Sequence, residues 1–226
     1  MNRKLTAALL ILAAVLANVA FTALGSIFNY PDVLDEPAGS VLASFREHED
    51  AVSAWFIVLA LSAALMAPIA IGVGRLSSAR PMRIAVWVGI AAATVQVIGL
   101  MRWPILVPGY ASSDNRDAFS TASDVLGTAI GETIGYALTA LWTALVIAAL
   151  GRRFAGRWFA WLGGLAAALV FVGVLSPLGL PVVDTANFFG YVLWSIWLIA
   201  FGIVLLVRER RAAAAVAGSS RAAVTS

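Results

Sequence analysis

The chain contains no cysteine and a single histidine. The first absence excludes disulfides, thiolate metal sites, iron–sulfur clusters and a cysteine nucleophile. The second excludes a bis-histidine haem or a histidine-rich metal centre within one chain. No metal and no cofactor is therefore expected. Charge is scarce as well: 12% of residues are Asp, Glu, Lys or Arg, against 62% hydrophobic. A soluble domain is about a quarter charged and about half apolar. The deficit points to a chain dissolved mostly in lipid. Also missing are a phosphate-binding loop, a dinucleotide fingerprint, a Gly-x-Ser-x-Gly elbow and a His-Glu-x-x-His motif.

What the chain does have is long apolar runs and eight tryptophans, a residue that collects at membrane interfaces. Six runs stand out: Leu5–Phe28, Ala51–Gly74, Ile84–Val107, Val125–Leu150, Trp158–Leu175 and Phe188–Val207. Each is near the ~20 residues that cross a hydrocarbon core of ~30 Å. Lipid offers the backbone no hydrogen-bond partners, so each run must be a helix. The expected fold is all-α, an integral membrane bundle of six transmembrane helices over residues 1–211. A tail over 212–226, rich in Ala, Gly and Ser, is expected to be disordered. The first run follows Arg3 and Lys4 and so resembles a signal peptide. It is longer than the ~7–15 apolar residues of such a core, and is read as a retained span.

The charges orient the bundle. Arg3, Lys4, Arg75, Arg80, Arg83, Arg152, Arg153, Arg157, Arg208, Arg210, Arg211 and Arg221 fall on one side, and Arg46, Arg102 and Arg116 on the other. The excess marks the cytoplasmic side, so both termini are expected there, in a bacterial plasma membrane. A net charge of +3 placed this way fits the inner leaflet, and nucleic acid is not expected as a partner. On the outer side, Ser44 and Glu47 have capping-box spacing, so the second helix is expected to begin ahead of the membrane. Ser112-Ser113-Asp114-Asn115 offers caps for a helix running unbroken into the fourth span. Asp184 is a third expected cap. Pro68 should kink span two, and Pro104 and Pro108 should break the outer end of span three. His48, among Arg46, Glu47, Glu49 and Asp50, reads as a solvated helix start.

Polar groups inside spans need partners, and these positions carry the functional information. Asn18 and Gln96 read as interhelical hydrogen-bonders. Gly127, Gly131 and Gly135 recur every fourth residue and would let another helix approach closely. Glu132 lies beside that face. Arg102, near the outer end of span three, should sit at a similar depth and pair with it.

Two stretches, Arg102-Trp103-Pro104-Ile105-Leu106-Val107-Pro108 and Gly131-Glu132-Thr133-Ile134-Gly135-Tyr136 with Thr139-Ala140-Leu141-Trp142-Thr143 after it, resemble a bacterial family. Its members are multi-pass membrane proteins catalogued only as a domain of unknown function. The resemblance runs from span one to span six and implies no activity. The residues it carries over are Arg102, Trp103, Glu132 and Tyr136.

Two functions are compatible with these residues. The first is a membrane protein that binds a lipid-like ligand, a hydrophobic small molecule or a membrane partner, using Arg102, Glu132, Tyr136, Trp103 and Asn18. The alternative is a small intramembrane enzyme acting on an isoprenoid or other lipid by acid catalysis. There Glu132 would supply the proton, and Tyr136, Trp103 and Trp142 would stabilise a carbocation through their π faces.

Overall fold

The computed structural model describes residues 2–224, with side chains through residue 212. The expectation of disorder over 212–226 therefore falls mostly outside the described side chains. The fold is all-α, and the described residues include no strand. Six helices are long and apolar enough to cross a membrane: Arg3–Phe28, Glu49–Gly74, Arg80–Ser113, Arg116–Leu150, Arg157–Leu178 and Pro181–Ala212.

Local chemistry sets the boundaries. Helix α1 (Arg3–Phe28) starts where the Asn2 side chain accepts from the Lys4 amide at 2.8 Å. It stops at Asn29 in a left-handed conformation, which Asn tolerates better than most residues. A short helix α2 (Ala38–Glu47) follows, and the chain bends at His48. Ser44 thus lies inside α2 rather than capping the second span, which begins at Glu49 instead. That span is two pieces, α3 (Glu49–Ala64) and α4 (Met66–Gly74). The joint at Leu65 lies just before Pro68, whose ring removes a donor and crowds the preceding turn.

Span three is α5 (Arg80–Ile105), continued with an offset at Leu106 by α6 (Val107–Ser113). Pro104 and Pro108 shift this helix without ending it. Asp114 then adopts a left-handed conformation, and the Asn115 side chain accepts from the Ala118 amide at 3.1 Å. From that cap α7 (Arg116–Ala122) runs unbroken through a π-helical stretch, Ser123–Ile134, into α8 (Gly135–Leu150). A short α9 (Arg152–Ala155) leads to α10 (Arg157–Val172) and a 3-10 turn, Gly173–Leu178. Helix α11 (Pro181–Val224) completes the chain. Asp184 lies in its first turn rather than at a cap.

Each span packs on the next in chain order, and α11 returns to pack on α1, so the six spans close into a ring. Two apolar cores fill it. One lies toward the end bearing both termini and includes Leu10, Ile69, Val73, Trp142, Trp197 and Phe201. The other joins spans one to three with α2, α6 and α7, and centres on Phe28, Phe45, Phe56 and Trp103. Beyond Phe119 of α7, the first turns of span four, spans four to six add no buried residue to this second core. Over the half of the bundle away from the termini, the two triplets of spans therefore meet through something else.

Candidate functional site

That meeting surface is built first by shape. On α5, Gln96, Gly99 and Arg102 recur at three-residue spacing and so share a face. Span four runs antiparallel to α5 and presents its glycines to that face. A Cβ on Gly135 would fall 3.0 Å from the Gln96 Cγ, one on Gly131 3.0 Å from the Gly99 Cα, and one on Gly127 2.7 Å from the Arg102 Cζ. In the other direction, a Cβ on Gly99 would come within 2.6 Å of the Gly131 Cα and 2.9 Å of the Leu126 carbonyl oxygen. Backbone touches backbone at this crossing. The π-helical turns of Ser123–Ile134 lie against it, and such turns are frequent where a helix serves function.

The polar side chains follow from that contact. Arg102 is 5% exposed. Its guanidinium lies against Gly127, in space a side chain would fill. The Nη1 donates to the Gly99 carbonyl oxygen at 2.7 Å, and the head sits 5.2 Å from the Trp103 ring centroid. The Nε is buried with no partner. Glu132 is half-buried. Its carboxyl is near enough to Arg102, Tyr30, Tyr136 and Tyr191 to act on all four electrostatically. Yet no ion pair within 4.0 Å joins Glu132 to Arg102, and among the described residues Glu132 makes no hydrogen bond. The direct pair expected from their matching depth does not form, because Arg102 turns back to its own helix.

Tyr136 meets Tyr191 edge to face, ring centroids 5.6 Å apart. The Gln96 amide donates to Thr139 Oγ1 at 2.8 Å, the interhelical bond its burial requires. Deeper in, Trp194 Nε1 donates to Thr143 Oγ1 at 2.9 Å. Asn187 donates to the Val170 carbonyl oxygen at 3.0 Å. Tyr30, just beyond α1, completes the group. Burial, and secondly the Glu132 carboxylate, raise its pKa well above the ordinary phenol value, so it remains an O–H donor. The result is a polar seam of guanidinium, carboxyl, phenols and amides between the two triplets of spans. Gln96, Glu132, Tyr136 and Tyr191 each keep some exposed surface, so the seam is not sealed.

Not every residue singled out from the sequence belongs here. Trp103 is fully buried, stacked on Phe56 at 4.7 Å and surrounded by Phe28, Phe45 and Phe119. Trp142 is fully buried in the other core beside Trp194 and Trp197. Both are packing residues at these positions. Asn18 is exposed on α1 and donates to the Ala14 carbonyl oxygen of its own helix at 2.7 Å, not to a neighbouring span. Tyr30, Tyr191 and Asn187 belong to the seam and were missed. Tyr30 sits in a loop and Asn187 beside the expected start of span six, so neither registered as a polar residue inside lipid.

A family model described as a domain of unknown function, DUF4386, matches residues 5–202. No curated protein and no solved structure matches the chain.

Proposed function

The chain belongs to the DUF4386 family, and on that footing we propose that it is an integral membrane protein that binds a lipid-like ligand in the seam between spans one to three and spans four to six. One observation carries the reading. Arg102 is 5% exposed with its Nε unpartnered, beside a carboxyl it does not pair with. A charge buried for stability alone would be matched by its neighbour, since an uncompensated ion in such a site is costly. Two unpaired poles a short distance apart suit a ligand head that brings an acceptor or anion to Arg102 and a donor to Glu132. The edge-to-face pair Tyr136–Tyr191 supplies a flat aromatic wall. The glycine contact of span four with α5 serves this arrangement by bringing Arg102 and Glu132 onto one face. We take the membrane to be the bacterial plasma membrane, with both termini cytoplasmic, which the concentration of arginines at that end supports. Nucleic acid is no part of this reading, since those arginines sit at the edge of the spans.

The acid-enzyme reading keeps one observation in its favour, the unpaired Glu132. The cores have taken Trp103 and Trp142, so only tyrosines remain near the carboxyl. Lipid extraction of the purified protein followed by mass spectrometry tests both readings. The binding reading expects a co-purifying amphiphile that is lost in Arg102→Met. The enzyme reading expects Glu132→Gln to accumulate a different, unconverted lipid. The same species in wild type and Arg102→Met would sink the proposed site.

A further inference from the structure

A second site lies at the opposite end of the bundle, the end bearing both termini. There α9, the start of α10 and the turns of α11 from Ile203 to Arg211 line an open groove of about 380 Å³. Three of its lining residues are arginines, Arg153, Arg208 and Arg211, and none is acidic. The nearest acid in sequence, Glu209, pairs instead with Arg3 at 3.9 Å. Arg208 is held in place: its Nη2 donates to the carbonyl oxygens of Arg153 and Phe154, and its head stacks on the Phe154 ring at 4.7 Å. Arg153 and Arg211 are exposed and have no ion pair among the described residues.

The rest of the groove is apolar and opens toward lipid. Ile203 is 50% exposed, Trp158 49% and Val207 39%. These three are exposed on the apolar helices of spans five and six. A basic floor at the depth where the apolar run ends, joined to an apolar wall running into the bilayer, has the two-part chemistry of a phospholipid. We propose that this groove is a binding site for an anionic phospholipid. The phosphate sits between Arg153 and Arg211, Arg208 braces the floor, and one acyl chain lies along Val207 and Ile203. Trp158 borders the headgroup region, where indole rings settle. A free phosphate would use the arginines and leave the apolar wall uncovered.

Trp158 is also the reporter. The full-length protein is reconstituted in phosphatidylcholine vesicles containing a minor fraction of either dibrominated phosphatidylglycerol or dibrominated phosphatidylcholine. Subtracting the quenching seen in Trp158→Phe isolates the Trp158 signal. Each basic residue near an anionic lipid strengthens attraction several-fold, so brominated phosphatidylglycerol should be preferred about tenfold at this site. The preference should vanish in Arg153→Gln/Arg211→Gln. Both side chains are exposed, so the variant should fold; should the double variant fail to fold, Arg211→Gln alone must lower the preference several-fold. Equal quenching by the two lipids overturns the proposal, as does a preference that survives loss of the arginines. Relief of quenching by added inorganic phosphate would mean a free-anion site and would overturn the assignment to lipid.

Discussion

Arg102 enters the bundle without a counter-ion in contact, and its surroundings explain how the position is tolerated. One nitrogen is bonded to the Gly99 carbonyl oxygen, and the plane lies near the Trp103 ring. Glu132 contributes at longer range. Removing one member of a contacting buried pair costs about 3–5 kcal/mol because it strands the other. Here neither removal strands a bonded partner. Arg102→Leu and Glu132→Leu should therefore each cost less than that, and the double variant should recover less than about 1 kcal/mol of their sum. Unfolding in detergent measures this. Recovery of more than about 1 kcal/mol in the double variant would mean that the side chains meet directly. Glycine at the crossing has a harder role. A methyl on Gly99 would press on backbone atoms of span four, which cannot swing aside. Gly99→Ala should cost about 1–3 kcal/mol, as overpacking does. Gly164→Ala, where nothing lies within 4 Å, should change stability by no more than about 0.5 kcal/mol. Equal effects at the two positions would disprove the close crossing.

Elements here end where a side chain or a proline dictates. Helix α6 stops at Asp114 and α7 starts at Asn115, a sharp reversal tied by side chains. Arg116 Nη2 donates to the Asp114 carboxylate at 2.9 Å, and Arg46 reaches the same carboxylate at 3.9 Å. Arg46 also donates to the Ala111 carbonyl oxygen at 2.7 Å, joining α2 to α6. The Arg116 hydrogen bond holds the Asp114 carboxyl below its ordinary pKa. A depressed folded-state pKa gives stability that is present above the unfolded value and lost as pH falls through the folded one. The α2–α6–α7 cap should therefore exchange amide hydrogens faster below the ordinary carboxylate range, and Asp114→Asn should lose that pH response. Asp114 is solvated, so the effect should be small and should shrink further in salt. A response unchanged in Asp114→Asn would assign it to another group. In span two the joint at Leu65 shows the complementary case, a break set by Pro68 within the apolar run.

At the scale of the whole molecule, the ring of spans divides into halves with different interiors. Toward the termini all six spans share one apolar core, rich in Trp and Phe. Away from the termini an apolar core serves only spans one to three and the cap helices. The polar seam lies at the remaining interface, beside the Phe21–Phe188 contact of spans one and six. In lipid, apolar side chains gain little by leaving the solvent, and association rests on close packing and interhelical hydrogen bonds. The glycine crossing and the Gln96–Thr139 and Trp194–Thr143 bonds are contacts of that kind. The proposed orientation rests on charge. Reporter fusions after Ser78 and after Gly156 should read as cytoplasmic, and fusions near Asp35 and Ser113 as exported. An exported signal after Gly156 would reverse the proposed topology.

Span number and helical class were legible in the chain because they depend on one-dimensional quantities. Run length against membrane thickness decides a span, and hydrogen-bond satisfaction decides that it is a helix. Arg102, Glu132 and Tyr136 could be singled out for the same reason: a polar residue inside an apolar run is visible as such. Whether Arg102 and Glu132 touch was not legible. Matching depth places two residues in the same layer, but contact also depends on how each helix is rotated and where each side chain turns. That rotation is set by Gly99 against Gly131 and by the π-helical stretch, and it leaves Arg102 bonded to its own helix. Trp103 and Trp142 show the same limit from the other side. An indole can line a site or fill a core, and only the neighbours packed around it decide which. Tyr30, Tyr191 and Asn187 are distant in sequence from Glu132, and only closure of the ring, span six against span one, brings them to it.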